Sequence, residues 1–125
     1  MIKINLELNN KEPIYLQIMN YIKKKIIVGE ISMGEKLLSV RELASELTVN
    51  PNTIQRVYAE LENEGLIFTK RGLGKYVTED FSVVKKLKRE SAEEVLNTFL
   101  RTMKELGMSK EEVMELVNNK YEKVN

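Results

Sequence analysis

The chain has 125 residues, 42 % of them apolar and 31 % charged, with a formal net charge of +1. That length allows one compact domain or a small domain with an appendage, the composition is that of a soluble globular protein, and no apolar run is long enough to span a bilayer. Cysteine and histidine are both absent, which removes disulfides, thiolate zinc sites, the commonest general base and the commonest transition-metal ligand. No metal or cofactor is therefore expected, and an enzyme is the minor reading. The start of the chain lacks the charged-then-apolar layout of a signal peptide, so the expected compartment is the cytoplasm. A net charge near zero selects no partner; where the basic residues cluster matters more.

Residues 2 to 8 alternate, Ile2, Ile4, Leu6 and Leu8 against Lys3, Asn5 and Glu7. This is the period of a short half-buried strand or an extended arm. Pro13 suits the first turn of a helix. Ile14, Ile18, Ile22 and Ile26 follow at spacing four until Gly29 stops the run, so this first helix is core scaffolding. Gly34 to Leu38 reads as a loop. Ser39-Val40-Arg41-Glu42 is a capping box that opens a short helix burying Val40, Leu43, Ala44 and Leu47. Thr48-Val49 makes a tight turn. Asn50 is an N-cap with Pro51 at the first helical position, and the next helix runs to Gly65 with Ile54, Val57, Tyr58 and Leu61 on one face.

Leu66 to Thr69 and Tyr76 to Thr78 are β-capable segments flanking Lys70-Arg71-Gly72-Leu73-Gly74-Lys75, the layout of a hairpin. The remainder of the chain is helical in pattern. Ala92, Val95, Leu96, Phe99, Leu100, Met103 and Leu106 form a stripe on a long helix ended by Gly107. A second capping box, Ser109 to Glu112, precedes Val113, Leu116, Val117 and Tyr121 at helical spacing. A pair of helices this short holds at best a marginal core alone. It must pack on the first domain, on a second copy of itself, or on both.

Two short helices joined by a tight turn, the second opening Asn-Pro, form a helix-turn-helix, and the hairpin supplies a wing. The expected fold is therefore mainly α with a small β-hairpin. A winged helix-turn-helix over 1–79 (helix-turn-helix 39–64, wing 66–78) is followed by a two-helix C-terminal dimerisation region over 80–125. On a helical wheel of about 100° per residue, the apolar set of the second helix centres on one side. Asn52 and Arg56 point away from it, with Gln55 and Ala59 beside them and Thr53 at the margin. Asn and Gln can pair with adenine edges and Arg with guanine or phosphate, while a small Ala lets the helix sit close. Arg41 is a natural phosphate or base contact. Arg71 and Lys75, with Gly72 and Gly74, can bring the hairpin tip against phosphates or the minor groove. Together with the caps Ser39 and Asn50, these residues form the expected surface for double-stranded DNA. Val95, Leu96, Phe99, Leu100, Met103, Leu106, Val113, Leu116 and Val117 form the expected seam of a homodimer.

Each feature has a plainer explanation. A capping box starts many helices, an Asn/Gln/Arg face can be mere solvated surface, and a basic hairpin tip can be only a charged turn. Their order and spacing together favour DNA. A winged helix used for protein docking or RNA binding is the alternative. A small-molecule effector is selected by no residue pattern; a cleft between the tail helices and the winged domain, with Tyr15, Tyr58 or Phe99 in its lining, is where one would sit.

Gly34 to Ala44 is similar to the signature loop and helix of GntR-type regulators. Val49 to Tyr58, followed by Leu61 to Ile67, resembles the recognition helix of that family's YtrA-type branch. Arg71 to Val77 resembles its wing, and Pro13 to Ile18 the opening of its first helix, so the resemblance covers about residues 11 to 79. Leu38 departs from it, standing where the family usually has proline. The resemblance implies DNA contacts from Arg41, Asn52, Thr53 and the wing around Gly72; Gln55 and Arg56 come from the wheel alone. Pro51 and Gln55 occupy positions where other branches carry DNA-touching arginines, so base pairings do not transfer from those branches. It further implies that the short helical tail serves dimerisation, and a repressor of an operon, often one for membrane transporters; a two-fold dimer is then expected to read two half-sites of an inverted-repeat operator.

Overall fold

The computed structural model describes residues 4–125. Among them lie five α-helices and one two-stranded hairpin: α1 (Ile14–Ile27), α2 (Val40–Leu47), α3 (Pro51–Asn63), β1 (Ile67–Lys70), β2 (Gly74–Val77), α4 (Phe81–Glu105) and α5 (Lys110–Lys120). A 3₁₀ turn at Tyr121–Lys123 follows. The order is that of a winged helix-turn-helix with a helical tail, as the patterning predicts.

Ile2 and Lys3 of the alternating start lie outside the described residues. From Ile4 the segment is an extended arm rather than a ladder strand. Ile4 is buried and Leu6 and Leu8 half-buried, with Asn5 and Glu7 exposed between them. Side chains of α1 take over the work a partner strand would do. The Asn5 N–H donates to the Tyr21 hydroxyl (3.0 Å) and the Asn9 N–H to Gln17 Oε1 (3.0 Å). The buried Gln17 amide donates in turn to the carbonyls of Asn9 and Glu12, both at 2.8 Å. Its burial is thus matched by hydrogen bonds.

The local signals at α2 and α3 are realised atom by atom. Ser39 Oγ accepts the Glu42 N–H (3.1 Å), and the Glu42 carboxylate accepts the Ser39 N–H (2.9 Å). That second bond holds the Glu42 carboxyl below the ordinary glutamate range. The turn between the helices is made by Thr48 in the left-handed region, φ 55°. A β-branched residue there carries backbone strain of roughly 1–2 kcal/mol. The bond from the Val49 N–H to the Ala44 carbonyl (3.0 Å) closes α2 around it. Asn50 Oδ1 caps α3 through the Asn52 N–H (2.8 Å).

The core gathers Ile18, Ile22 and Ile26 of α1, Leu43 of α2, Ile54, Val57, Tyr58 and Leu61 of α3, and Leu66, Ile67 and Val77 around the hairpin. β1 and β2 pair antiparallel with Phe68 opposite Tyr76 and Lys70 opposite Gly74. The hairpin also has a third neighbour: the segment 34–37, expected to be a plain loop, lies along β2. The Leu37 N–H donates to the Lys75 carbonyl and the Val77 N–H to the Glu35 carbonyl, both at 2.9 Å. The free edge of β2 is thereby covered.

The chain divides into two compact units, the break falling between Lys88 and Arg89 inside α4. The first unit reaches beyond the edge at 79 expected from the sequence, because Val84 is buried and Val83 and Leu87 pack beside it on the first core. The apolar spacing of those three residues continues the helical period upstream of Ala92. In the second unit Gly107, at φ 75°, terminates α4. Its N–H donates to the Lys104 carbonyl and that of Met108 to Met103, both at 3.0 Å, the Schellman pattern. Ser109 and Glu112 then form the second capping box. Val113 is buried within the unit and Phe99 and Met103 half-buried, while Val95, Leu96, Leu100, Leu106, Leu116 and Val117 are exposed. Among the described residues no helix is long and apolar enough to cross a membrane.

Candidate nucleic-acid interface

α3 is sharply two-sided. Ile54, Val57, Tyr58 and Leu61 are at most 1 % exposed. Asn52, Gln55, Arg56 and Ala59 face solvent on the other side, with Thr53 half-buried at the margin. The wheel and the packing agree because α1 and β1 both contact α3, on the side where its apolar row lies. Asn and Gln there offer paired donors and acceptors, and Arg a planar fork of donors.

Arg41 is exposed at the first turn of α2 and lines an open groove with Ala44, Ser45, Thr48, Val49 and Pro51, which joins it to the start of α3. Ser39 and Asn50 are exposed, but their side-chain oxygens already accept the cap bonds. What remains to Ser39 is its hydroxyl proton, a donor suited to a phosphate oxygen. Tyr58 is wholly buried, and its hydroxyl donates to the Leu38 carbonyl at 2.6 Å. Burial pushes this phenol far above the ordinary tyrosine range. Tyr58 therefore ties α3 to the loop before α2 and does not line an effector cleft, contrary to expectation, because its ring belongs to the apolar row of α3.

Arg56 is exposed yet not free-swinging. Its guanidinium carbon lies 3.5 Å from the centroid of the Tyr15 ring on α1, and its Nε is 3.5 Å from Glu60 Oε1 one turn on. Tyr15 reads in the sequence as one more member of the α1 apolar stripe. No local signal pairs it with a residue so far along the chain.

On the wing, Arg71 and Gly72 are exposed at the tip, and Leu73 beside them is 60 % exposed. Lys70 Nζ sits 4.4 Å above the Tyr76 ring, which stacks on Phe68 with centroids 6.1 Å apart. Gly74 has φ 117°, a conformation that favours glycine, and a Cβ there would lie 3.1 Å from Lys36 Cε. The end of the Lys36 side chain thus reaches the tip-proximal start of β2, a cation that sequence patterning alone leaves in a loop. Lys75 is not at the tip. It is half-buried on β2, and its ammonium donates to Thr69 Oγ1 (2.7 Å) and Glu62 Oε2 (3.1 Å). Thr69 in turn donates to Glu62 Oε1 (2.7 Å). The Thr69 hydroxyl first, and the Lys75 ammonium second, hold the Glu62 carboxyl below its ordinary range. This clasp joins the end of α3 to both strands of the wing.

A family model described as bacterial regulatory proteins, gntR family, matches residues 14–77. The chain is 45 % identical to the HTH-type transcriptional regulator YhcF of Bacillus subtilis strain 168 over 109 residues, 87 % of this chain and 90 % of that protein. It is 44 % identical over 77 residues to the HTH-type transcriptional repressor YtrA of the same organism, covering 62 % of this chain and 59 % of that one. A solved GntR family transcriptional regulator from Listeria monocytogenes superposes with a TM-score of 0.85 at 46 % identity, over 90 % of this chain and 98 % of the other.

Proposed function

The chain belongs to the gntR family of bacterial regulatory proteins, DNA-binding regulators of transcription, and from that premise we propose that it is a dimeric repressor of an operon, reading an inverted-repeat operator. The observation that carries this is the exposed face of α3. Asn52, Gln55 and Arg56 stand in its N-terminal half, opposite a fully buried row, while Glu62 and Glu64 come only later in the helix or beyond it. A recognition helix enters the major groove by its N-terminal residues. Arg41, Thr53 and Arg71 then serve as flanking contacts, Ser39 and Asn50 hold the helix starts against the backbone, and Gly72 and Gly74 let the wing approach closely.

The second copy enters through the tail. Val95, Leu96, Leu100, Leu106, Leu116 and Val117 present an apolar surface that their own unit leaves uncovered, extended by the half-buried Phe99 and Met103. Val113 supports it from inside. A two-fold dimer places two recognition helices on two half-sites. YtrA, similar over part of the chain, is named a repressor, which supports the sign of regulation; the resemblance to its branch also favours transporter genes as targets.

Fluorescence anisotropy against the DNA upstream of the protein's own coding sequence, with a scrambled duplex and a salt series, tests the reading. Selective binding that weakens log-linearly with salt, at about 0.9 per phosphate neutralised, is the expected result. Arg41→Ala should weaken it by about ten-fold or more, within the range of a lost arginine contact. Binding to RNA or protein and to no duplex at low salt would replace the repressor with a docking module.

A further inference from the structure

Arg56 shows a geometry that exposure alone does not require. One face of its guanidinium rests on the Tyr15 ring at 3.5 Å, and its Nε is directed to Glu60. Its two Nη groups make no hydrogen bond to any described residue, although they carry four of the five donors of the side chain. Stacking on a ring leaves the in-plane edge of a guanidinium open. The open edge is the planar fork that matches O6 and N7 of guanine, or two oxygens of one phosphate. Glu60 favours the base. Its carboxylate on the same helical face repels the full charge of a phosphate more strongly than the uncharged edge of a guanine. The ring comes from α1, outside the helix-turn-helix.

Resting on the operator-binding reading above, we infer that Tyr15 is a positioning residue for base recognition: its ring holds the Arg56 guanidinium flat so that both Nη groups meet a guanine edge in each half-site. An arginine on a mobile stem must be immobilised when it binds; one already seated on a ring loses less freedom. α1 thus takes part in specificity without touching DNA. Lys70 on the Tyr76 ring repeats the cation-on-ring arrangement in the wing, but an ammonium is a point charge with no fork to aim.

The test uses the full chain and the duplex that the wild-type protein selects from a random pool, with each of its single-base-pair variants. Tyr15→Phe keeps the ring and should bind within about two-fold of wild type. Tyr15→Leu should lose about three- to five-fold, as expected for an exposed cation–ring contact, together with discrimination at one G·C pair per half-site. In an Arg56→Ala background the same Tyr15→Leu change should cost nothing more. An equal loss in both backgrounds, or unchanged discrimination in Tyr15→Leu, overturns the inference and leaves Tyr15 a packing residue. Arg56→Gln, made on the intact ring, is a check that does not depend on how Tyr15→Leu folds. It should keep the salt slope, since no phosphate contact is lost, and lose the G·C preference, because a glutamine amide matches an adenine edge; a retained preference overturns the inference. Failure of the wild-type chain to select any duplex overturns the operator reading itself, and this inference with it.

Discussion

In the first unit Ile22, Leu43, Ile54 and Leu61 are at most 1 % exposed, whereas from Arg89 onward Val113 is the one buried apolar residue among those described. Val95 and Leu106 stand at 71 % and 69 % exposure there. Both regions show helical apolar periodicity in sequence, yet only one closes a core. The first has three helices, a hairpin and an arm to converge on one interior. The second has only the rest of α4 and one short helix, and buries Val113 alone among its described apolar residues. Periodicity specifies which face is apolar and says nothing about whether the same chain supplies the cover.

The largest effect that should separate the two regions is cavity formation. Leu61→Ala should destabilise the first unit by about 2–5 kcal/mol in urea unfolding, the range for a fully buried leucine. Leu100→Ala, measured at protein concentrations too low for association, should cost far less because the side chain is already partly in water. Equal losses for the two would mean that the tail has a closed core of its own. Next in size is the proposed dimer seam. Leu96→Glu combined with Val117→Glu should raise the dimer dissociation constant by about ten-fold or more, read by sedimentation, since each charge must be desolvated to rebuild the contact. Helix content should not change. Unaltered association would place the dimer contact elsewhere in the chain.

The fold was legible wherever a signal is local. Both capping boxes, the Asn50-Pro51 start and the glycine ends of α1, α3 and α4 depend on a few consecutive residues, and each is realised at its expected place. What escaped depends on neighbours distant in sequence. Segment 34–37 is a strand-like edge only because β2 lies beside it. Tyr15 is a platform only because α3 brings Arg56 over it. Lys75 looks like a tip cation by its place next to Gly74, yet β2 includes Gly74 and Lys75, which moves the ammonium back along the hairpin to Glu62. The wheel found the exposed face of α3 because one helix fixes that face. It could not find where the long side chains on that face come to rest.

The clasp of Glu62, Thr69 and Lys75 supplies the smallest effect, with a defined sign. Its carboxyl is held below the ordinary glutamate value of 4.5 in the folded chain, by Thr69 first and Lys75 second. A group whose folded value is depressed stabilises the fold fully above its unfolded value, and that contribution is lost as the pH falls through the folded value. Glu62→Gln keeps an acceptor for Thr69 and removes the charge that faces Lys75. The side chains of Lys75 and Glu62 are 29 % and 38 % exposed, so water screens the pair and the loss at neutral pH should stay below about 1 kcal/mol. Urea midpoints of wild type and variant should therefore differ slightly at neutral pH and converge as the pH drops below 4.5. The acid sensitivity that Glu42 and Glu112 contribute through their capping boxes is common to both proteins and cancels in the difference. A gap that stays constant down to acid pH would show that the amide disturbs packing and that the charge contributes nothing. Convergence would mean that the wing is held to the end of α3 by a charge-assisted bond.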